Sequence, residues 1–202
     1  MKTELIKVRI EDENLIKEAA KLLKSGDLVA FPTETVYGLG ANALDESACQ
    51  KLYEVKGRPE NKAISLLVAD RKMIEDVAII TPLAEKLIEK FFPGPLTLIL
   101  PKRNMTLNWI TGELSTIGVR MPDNEIAISL IKNLGNPIAA PSANLSGEPA
   151  PTTAEEVYKN LNGKIKLILD GGACTFGISS TIVDATGKNP VVLRQGSITI
   201  DD

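Results

Sequence analysis

Residues 56–62 read Lys-Gly-Arg-Pro-Glu-Asn-Lys, two lysines and an arginine within seven positions. A guanidinium grips two oxygens of a phosphate or carboxylate through its planar fork, whereas an ammonium acts as a mobile point charge. Gly57 and Pro59 can bend the backbone so that these side chains converge. The chemistry on offer is the holding of an anion, above all a polyphosphate, by Lys56, Arg58 and Lys62. A solvated basic turn has the same composition, and the segment alone leaves both readings open.

Other candidates are small hydroxyl and amide side chains placed just after short apolar runs. Thr33, Glu34 and Thr35 follow Leu28–Phe31, and Ser142, Asn144 and Ser146 follow 137–140. In α/β sheets, ligands favour crevices beyond carboxyl strand ends. There, hydroxyls and amides can contact a small polar substrate, a nucleotide or a magnesium-bound phosphate, although turn chemistry explains them equally well. Arg120 and Arg194 each end an apolar strand, and an arginine in such a place needs an anionic partner. Ser180 and Thr181 open another strand. The chain has no histidine. That excludes Ser-His and Cys-His nucleophiles, HExxH zinc sites and imidazole acid–base catalysis. An enzyme with this sequence works by alignment and charge stabilisation, or with carboxylate or lysine chemistry.

The elements that must present these residues alternate between helical and strand patterns. Residues 1–8 alternate as a strand. Helices are predicted over 10–23, from Asp45 or Ser47 to 55, over 82–92 after Thr81, over 125–134, and from a capping box at 152–155 to 162. Strands are predicted at 28–31, 64–69, 96–100, 116–120, 137–140, 165–169, 181–184 and 191–193. Gly38-Leu-Gly-Ala-Asn-Ala43 matches a loose dinucleotide pattern but sits too far past the strand at Phe31, and the helix expected to follow starts only near Asp45. No P-loop motif is present. Phe91, Phe92 and Trp109 read as core rather than as base-stacking platforms. The resulting expectation is an α/β fold in a single domain over 1–202, with a mixed sheet flanked by helices.

Of the 202 residues, 44% are apolar and 24% charged, with a net charge of −3. This is the balance of an ordinary globular protein, and any basic site must be local. Cys49 and Cys174 fit neither a disulfide framework nor a metal-ligand spacing, so no metal site is expected on the protein. The lack of a signal-like leader and of a long apolar run leads to an expected cytoplasmic location with no membrane contact.

Taken together, residues 31–40, 56–62, 116–122, 140–147, 179–184 and 193–196 resemble, in order, the motifs of the YrdC family, whose catalytic members are threonylcarbamoyl-AMP synthases. The resemblance spans nearly the whole chain. It implies a twisted open sheet around a deep cationic cavity, and a reaction joining L-threonine, bicarbonate and ATP with release of pyrophosphate. Magnesium would accompany ATP. Other proteins would then transfer the threonylcarbamoyl group to adenosine 37 of tRNA. By motif, Thr35, Arg120, Ala140 and Ser180 would hold L-threonine. Arg58, Lys62, Thr116, Ser142, Asn144, Ala150 and Arg194 would hold ATP, with Lys56, Arg58 and Lys62 forming the catalytic phosphate field. Ala63 stands where many relatives carry proline. The resemblance also implies a short form without a C-terminal extension domain. A double-stranded RNA-binding module of the same fold, or direct tRNA contact, is the alternative; overall acidity favours the synthase. A carbamoyl-adenylating relative is the third option, and the extra regions such proteins carry are missing from this sequence.

Overall fold

A computed structural model describes residues 2–103 and 107–199. The first half runs β1 (Glu4–Lys7), α1 (Glu13–Lys24), β2 (Val29–Phe31), β3 (Gly38–Asn42), α2 (Glu46–Lys56), β4 (Leu66–Leu67), α3 (Arg71–Val77), α4 (Pro82–Phe91) and β5 (Leu96–Pro101). The second half runs α5 (Asn108–Thr111), β6 (Thr116–Arg120), α6 (Glu125–Leu134), β7 (Ile138–Ala139), α7 (Ala154–Leu161), β8 (Leu167–Asp170), β9 (Thr181–Asp184) and β10 (Val191–Arg194). The strands form one mixed sheet in the order β1-β8-β2-β3-β7-β4-β6-β5-β9-β10. The α/β class, the mixed sheet and the flanking helices agree with the sequence-based expectation.

Helices α1 and α6 cover one face of the sheet, burying Ile16, Leu23, Leu130 and Ile131 against Val29, Phe31, Leu167 and Leu169. On the other face α2, α4 and α7 pack Leu52, Ile88 and Val157 over Leu39, Leu66, Leu98 and Ile168. The helix starts follow side-chain capping: Asp45, Asp70, Thr81, Asn124 and Thr153 each accept from a backbone N–H in the first turn.

Several boundaries move. Helix α1 begins at Glu13 rather than at 10, and the strand expected over 64–69 keeps ladder geometry only at Leu66–Leu67. The capping box is Thr153 with Glu156, one residue beyond the expected one, and Glu156 Oε2 accepts from Thr152 N at 2.7 Å. Of the expected strand over 1–8, β1 occupies Glu4–Lys7, and Met1 lies outside the described residues. Helices α3 and α5 are short and escaped the pattern reading.

The larger difference is β3 (Gly38–Asn42), a strand in a glycine-rich run to which the sequence patterns assign no element. Gly38 and Gly40 hide a strand because they supply no side chain to alternate. A Cβ on Gly40 would stand 2.7 Å from Phe31 Cε1 and 2.8 Å from Ile138 Cγ2. Gly40 thus lets Phe31 and Ile138 close over the strand.

Strand β10 pairs antiparallel with β9, with Val192 opposite Val183 and Arg194 opposite Ile182. Leu193 is therefore an extra residue in the ladder, a β-bulge. Val183 belongs to the core, whereas Ile182 faces the cleft described next.

Candidate active site

One cleft gathers residues from most of the strand ends. Its wall is formed by Thr33 and Thr35 after β2, Arg58 and Ser65 after α2, and Thr97 in β5. Arg120 closing β6, Ala140 and Ser142 after β7, Ser180 before β9 and Arg194 closing β10 complete it. Strand order explains the convergence, because β7, β4, β6, β5, β9 and β10 are successive neighbours and bring these positions to one side of the sheet.

Arg120 is the most buried of the three arginines in the cleft wall. Its Nη2 donates to Glu34 Oε1 at 2.8 Å, and the two side chains are only 8% and 4% exposed. The pairing is incomplete, since Arg120 Nε and Glu34 Oε2 are both buried without a hydrogen-bond partner. Burial works against the Arg120 charge, and Glu34 offsets part of that effect. Arg194 donates through Nε and Nη2 to the Ser180 carbonyl at 3.1 and 2.8 Å. Burial disfavours the Arg194 charge, and the Arg120 charge adds to the effect. Arg58 donates through Nη2 to Ala63 O at 2.8 Å and through Nε to Lys62 O at 3.3 Å, closing its own loop into a ring. Gly57 ends α2 in the left-handed region at φ 60°, which turns the chain into that loop. Three guanidiniums thus face one cleft with a single carboxylate behind them, an arrangement that favours anions.

The hydroxyls can be assigned by counting hydrogens. Thr33 Oγ1 donates to Val36 O at 2.6 Å, so its one hydrogen is spent. Thr35 must then be the donor in the 3.0 Å contact between the Thr33 and Thr35 hydroxyls. The lone pairs of Thr35 remain for an incoming ammonium or hydroxyl. Thr97 and Ser180 form a second hydroxyl pair at 2.7 Å.

Of the residues singled out from sequence, Thr35, Arg58, Arg120, Ala140, Ser142, Ser180 and Arg194 come together in the cleft wall. Lys56 stands elsewhere. It is 3% exposed, and its ammonium donates to the carbonyls of Ser142 and Asn144. Its own carbonyl accepts from Ser146 N at 2.8 Å. Lys56 therefore pins the loop that carries Ser142, and burial, with Arg58 adding to it, pushes its ammonium down to about 8. Lys62 is exposed and is not part of the cleft wall. Asn144 is buried beside the cleft wall, its amide donating to Leu145 O and Glu148 O while Oδ1 lacks a partner. Thr116 begins β6, about 13 Å along the strand from Arg120 at roughly 3.3 Å per residue. Ala150 adjoins Pro151, whose carbonyl accepts from Tyr37 N at 2.9 Å. Sequence reasoning missed Thr97 and Ser65 and gave Glu34 no role as a counter-ion. Thr97 had a signal, a polar residue inside Leu-Thr-Leu-Ile-Leu.

Among the described residues no helix is long and apolar enough to cross a membrane.

The family profile Sua5/YciO/YrdC, described as telomere recombination, matches residues 21–196. Threonylcarbamoyl-AMP synthase of Pyrococcus abyssi is 48% identical over 198 residues, covering 98% of this chain and 58% of that protein. The Bacillus subtilis protein of the same name is 48% identical over 186 residues, covering 91% of this chain and 54% of that protein. The crystal structure of P. abyssi Sua5 complexed with L-threonine matches with a TM-score of 0.94 and 48% identity, over 100% of this chain and 59% of that one. The chain spans little more than half the length of these relatives. Profile match, sequence identity and fold agree, and the chain belongs to the Sua5/YciO/YrdC family.

Proposed function

We propose that this chain joins L-threonine, bicarbonate and ATP into threonylcarbamoyl-AMP and releases pyrophosphate. The observation that carries the reading is the convergence of Arg58, Arg120 and Arg194 on one cleft together with two pairs of hydroxyls. The names of the P. abyssi and B. subtilis relatives, and the L-threonine in the P. abyssi crystal, support it.

In this reading Arg120 pairs with the carboxylate of L-threonine, Thr35 accepts from its amine or hydroxyl, and Ser180 adds a further polar contact. Arg58, Ser142 and Arg194 hold the phosphates, with Lys62 lending charge from the rim. Magnesium enters as part of the MgATP substrate. The neutral threonine amine bonds to the carbon of bicarbonate, a C–O bond breaks with loss of water, and a carbamate results. One carbamate oxygen attacks the α-phosphorus, the bond to the pyrophosphate oxygen breaks, and pyrophosphate takes that electron pair. The carbamate is already nucleophilic, so the protein's share is alignment and neutralisation of charge. The product is a mixed anhydride, suited to passing its threonylcarbamoyl group to adenosine 37 of tRNA with the help of partner proteins.

The test is incubation with ATP, magnesium, bicarbonate and L-threonine, following pyrophosphate release and the adenylate by mass spectrometry. A product that depends on both threonine and bicarbonate is expected. Folded protein that binds ATP but yields no such product would refute the reading.

A further inference from the structure

The cleft contains a polar residue to which neither the sequence motifs nor the relatives' names give a part. Thr97 is the second residue of β5, 3% exposed, between the core residues Leu96 and Leu98. Its hydroxyl lines the cleft and stands 2.7 Å from that of Ser180, itself 4% exposed. A buried hydroxyl in an apolar strand costs stability unless it is hydrogen-bonded, and here Ser180 is its partner.

The same Ser180 is held from the other side by Arg194. The guanidinium donates twice to the Ser180 carbonyl, and Nη2 reaches the Ser180 hydroxyl at 3.3 Å. Arg194, Ser180 and Thr97 thus form a continuous chain of hydrogen bonds across the cleft. The two hydroxyls own two hydrogens, and one is used between them. A single hydroxyl hydrogen is therefore left to offer to a ligand. Which residue offers it depends on Arg194. While the guanidinium donates to Ser180 Oγ, it polarises that oxygen and makes Ser180 the better donor toward Thr97, so the free hydrogen is that of Thr97. If Arg194 turns toward a phosphate, Ser180 Oγ regains a lone pair, Thr97 can donate to it, and the free hydrogen passes to Ser180.

We infer that Thr97 is a positioning residue that relays, through Ser180, the engagement of Arg194 with a polyphosphate to the hydroxyl amino-acid end of the cleft. The inference rests on the functional reading above, in which Arg194 serves the nucleotide and Ser180 the amino acid. It adds that the two subsites are energetically coupled and that the coupling runs through a residue assigned to neither.

Thr97→Val preserves shape and strand propensity while removing only the hydroxyl. The experiment is calorimetric titration of L-threonine into the protein with and without saturating magnesium and the α,β-methylene analogue of ATP. In the wild type the analogue should tighten L-threonine binding at least about fivefold, the lower range of ordinary coupling between sites. In Thr97→Val that factor should fall to within about twofold of unity while analogue affinity alone stays unchanged, and Thr97→Ser should restore it. Retention of the wild-type factor in Thr97→Val overturns the relay, as does a wild type with no coupling. Loss of threonine binding by Thr97→Val both with and without analogue also overturns it, because a simple contact residue behaves that way. A wild type that binds the analogue but not L-threonine brings down the underlying functional reading instead.

Discussion

Arg120 and Glu34 meet at 2.8 Å in an almost fully buried pair that uses only one of two available hydrogen bonds. The pair is a foundation for the cleft and also an under-satisfied one. A guanidinium with an idle buried Nε is stabilised further by any anion that enters.

Glu34→Gln should therefore destabilise the free protein by about 3–5 kcal/mol, the usual cost of leaving one half of a buried ion pair uncompensated. L-Threonine should raise the midpoint of thermal unfolding more in this variant than in the wild type, because its carboxylate supplies the missing charge. Thermal unfolding with and without L-threonine checks this; a smaller ligand-induced rise in the variant would contradict it.

Arg58→Ala should lower kcat/KM for ATP with a loss of about 2–4 kcal/mol in transition-state stabilisation, by analogy with removal of an oxyanion-hole donor. Lys62→Ala, at an exposed position, should cost less than about 1 kcal/mol. Both should leave L-threonine affinity near wild type, whereas Arg120→Ala should chiefly abolish it. Steady-state kinetics with each substrate varied separately measures the division. Equal losses for both substrates in all three variants would argue against it.

Lys56 gives stability a pH dependence of known sign. Its ammonium is pushed from 10.5 down to about 8 in the folded chain. Between those values the unfolded chain binds more protons than the folded one, so this residue's contribution rises with pH. Tyr53 and Cys174, pushed up to about 12 and about 11, act in the opposite sense at high pH. Comparison with Lys56→Met isolates the lysine. The stability of the wild type relative to that variant should increase by about 3 kcal/mol between pH 8 and 10.5, measured by urea unfolding. A difference that stays flat or shrinks would contradict the burial of a charged amine.

Both thiols should be slow toward alkylating reagents. Burial pushes Cys49 up to about 12 and Cys174 up to about 11. At pH 8 the thiolate fraction of Cys174 is roughly two orders of magnitude below that of a free cysteine with a pKa near 8.5. Iodoacetamide labelling of native protein, followed by mass spectrometry, should show correspondingly slow modification; labelling at the rate of a model peptide would be the contrary result.

The legible part of this fold is the part in which side chains alternate or cap. Helix α6 and strands β6 and β9 fall where periodicity places them, and Thr81 and Asp45 mark helix starts by the hydroxyl or carboxylate each offers the backbone. The illegible part is where structure depends on missing atoms or distant partners. Gly38 and Gly40 conceal β3. Glu34 reads as a loop carboxylate until β6 delivers Arg120 to it, 86 residues away. Lys56 illustrates the limit from the other side. Its charge within a basic run suggests a phosphate ligand, but its place as the last residue of α2 turns it inward to the carbonyls of Ser142 and Asn144.

The extra residue at Leu193 makes the end of β10 a counting device. Along a strand the faces alternate, so whether a side chain points to core or cleft is a matter of odd or even. In a regular ladder Arg194 would share the face of Val192 and Val183, toward the core. One inserted residue reverses that parity and puts it beside Ile182. The exposed Val191, Val192 and Leu193 can accept many substitutions, but the segment cannot lose or gain a single residue without sending its guanidinium to the wrong side of the sheet. The register constrains the length of this segment rather than its residue types.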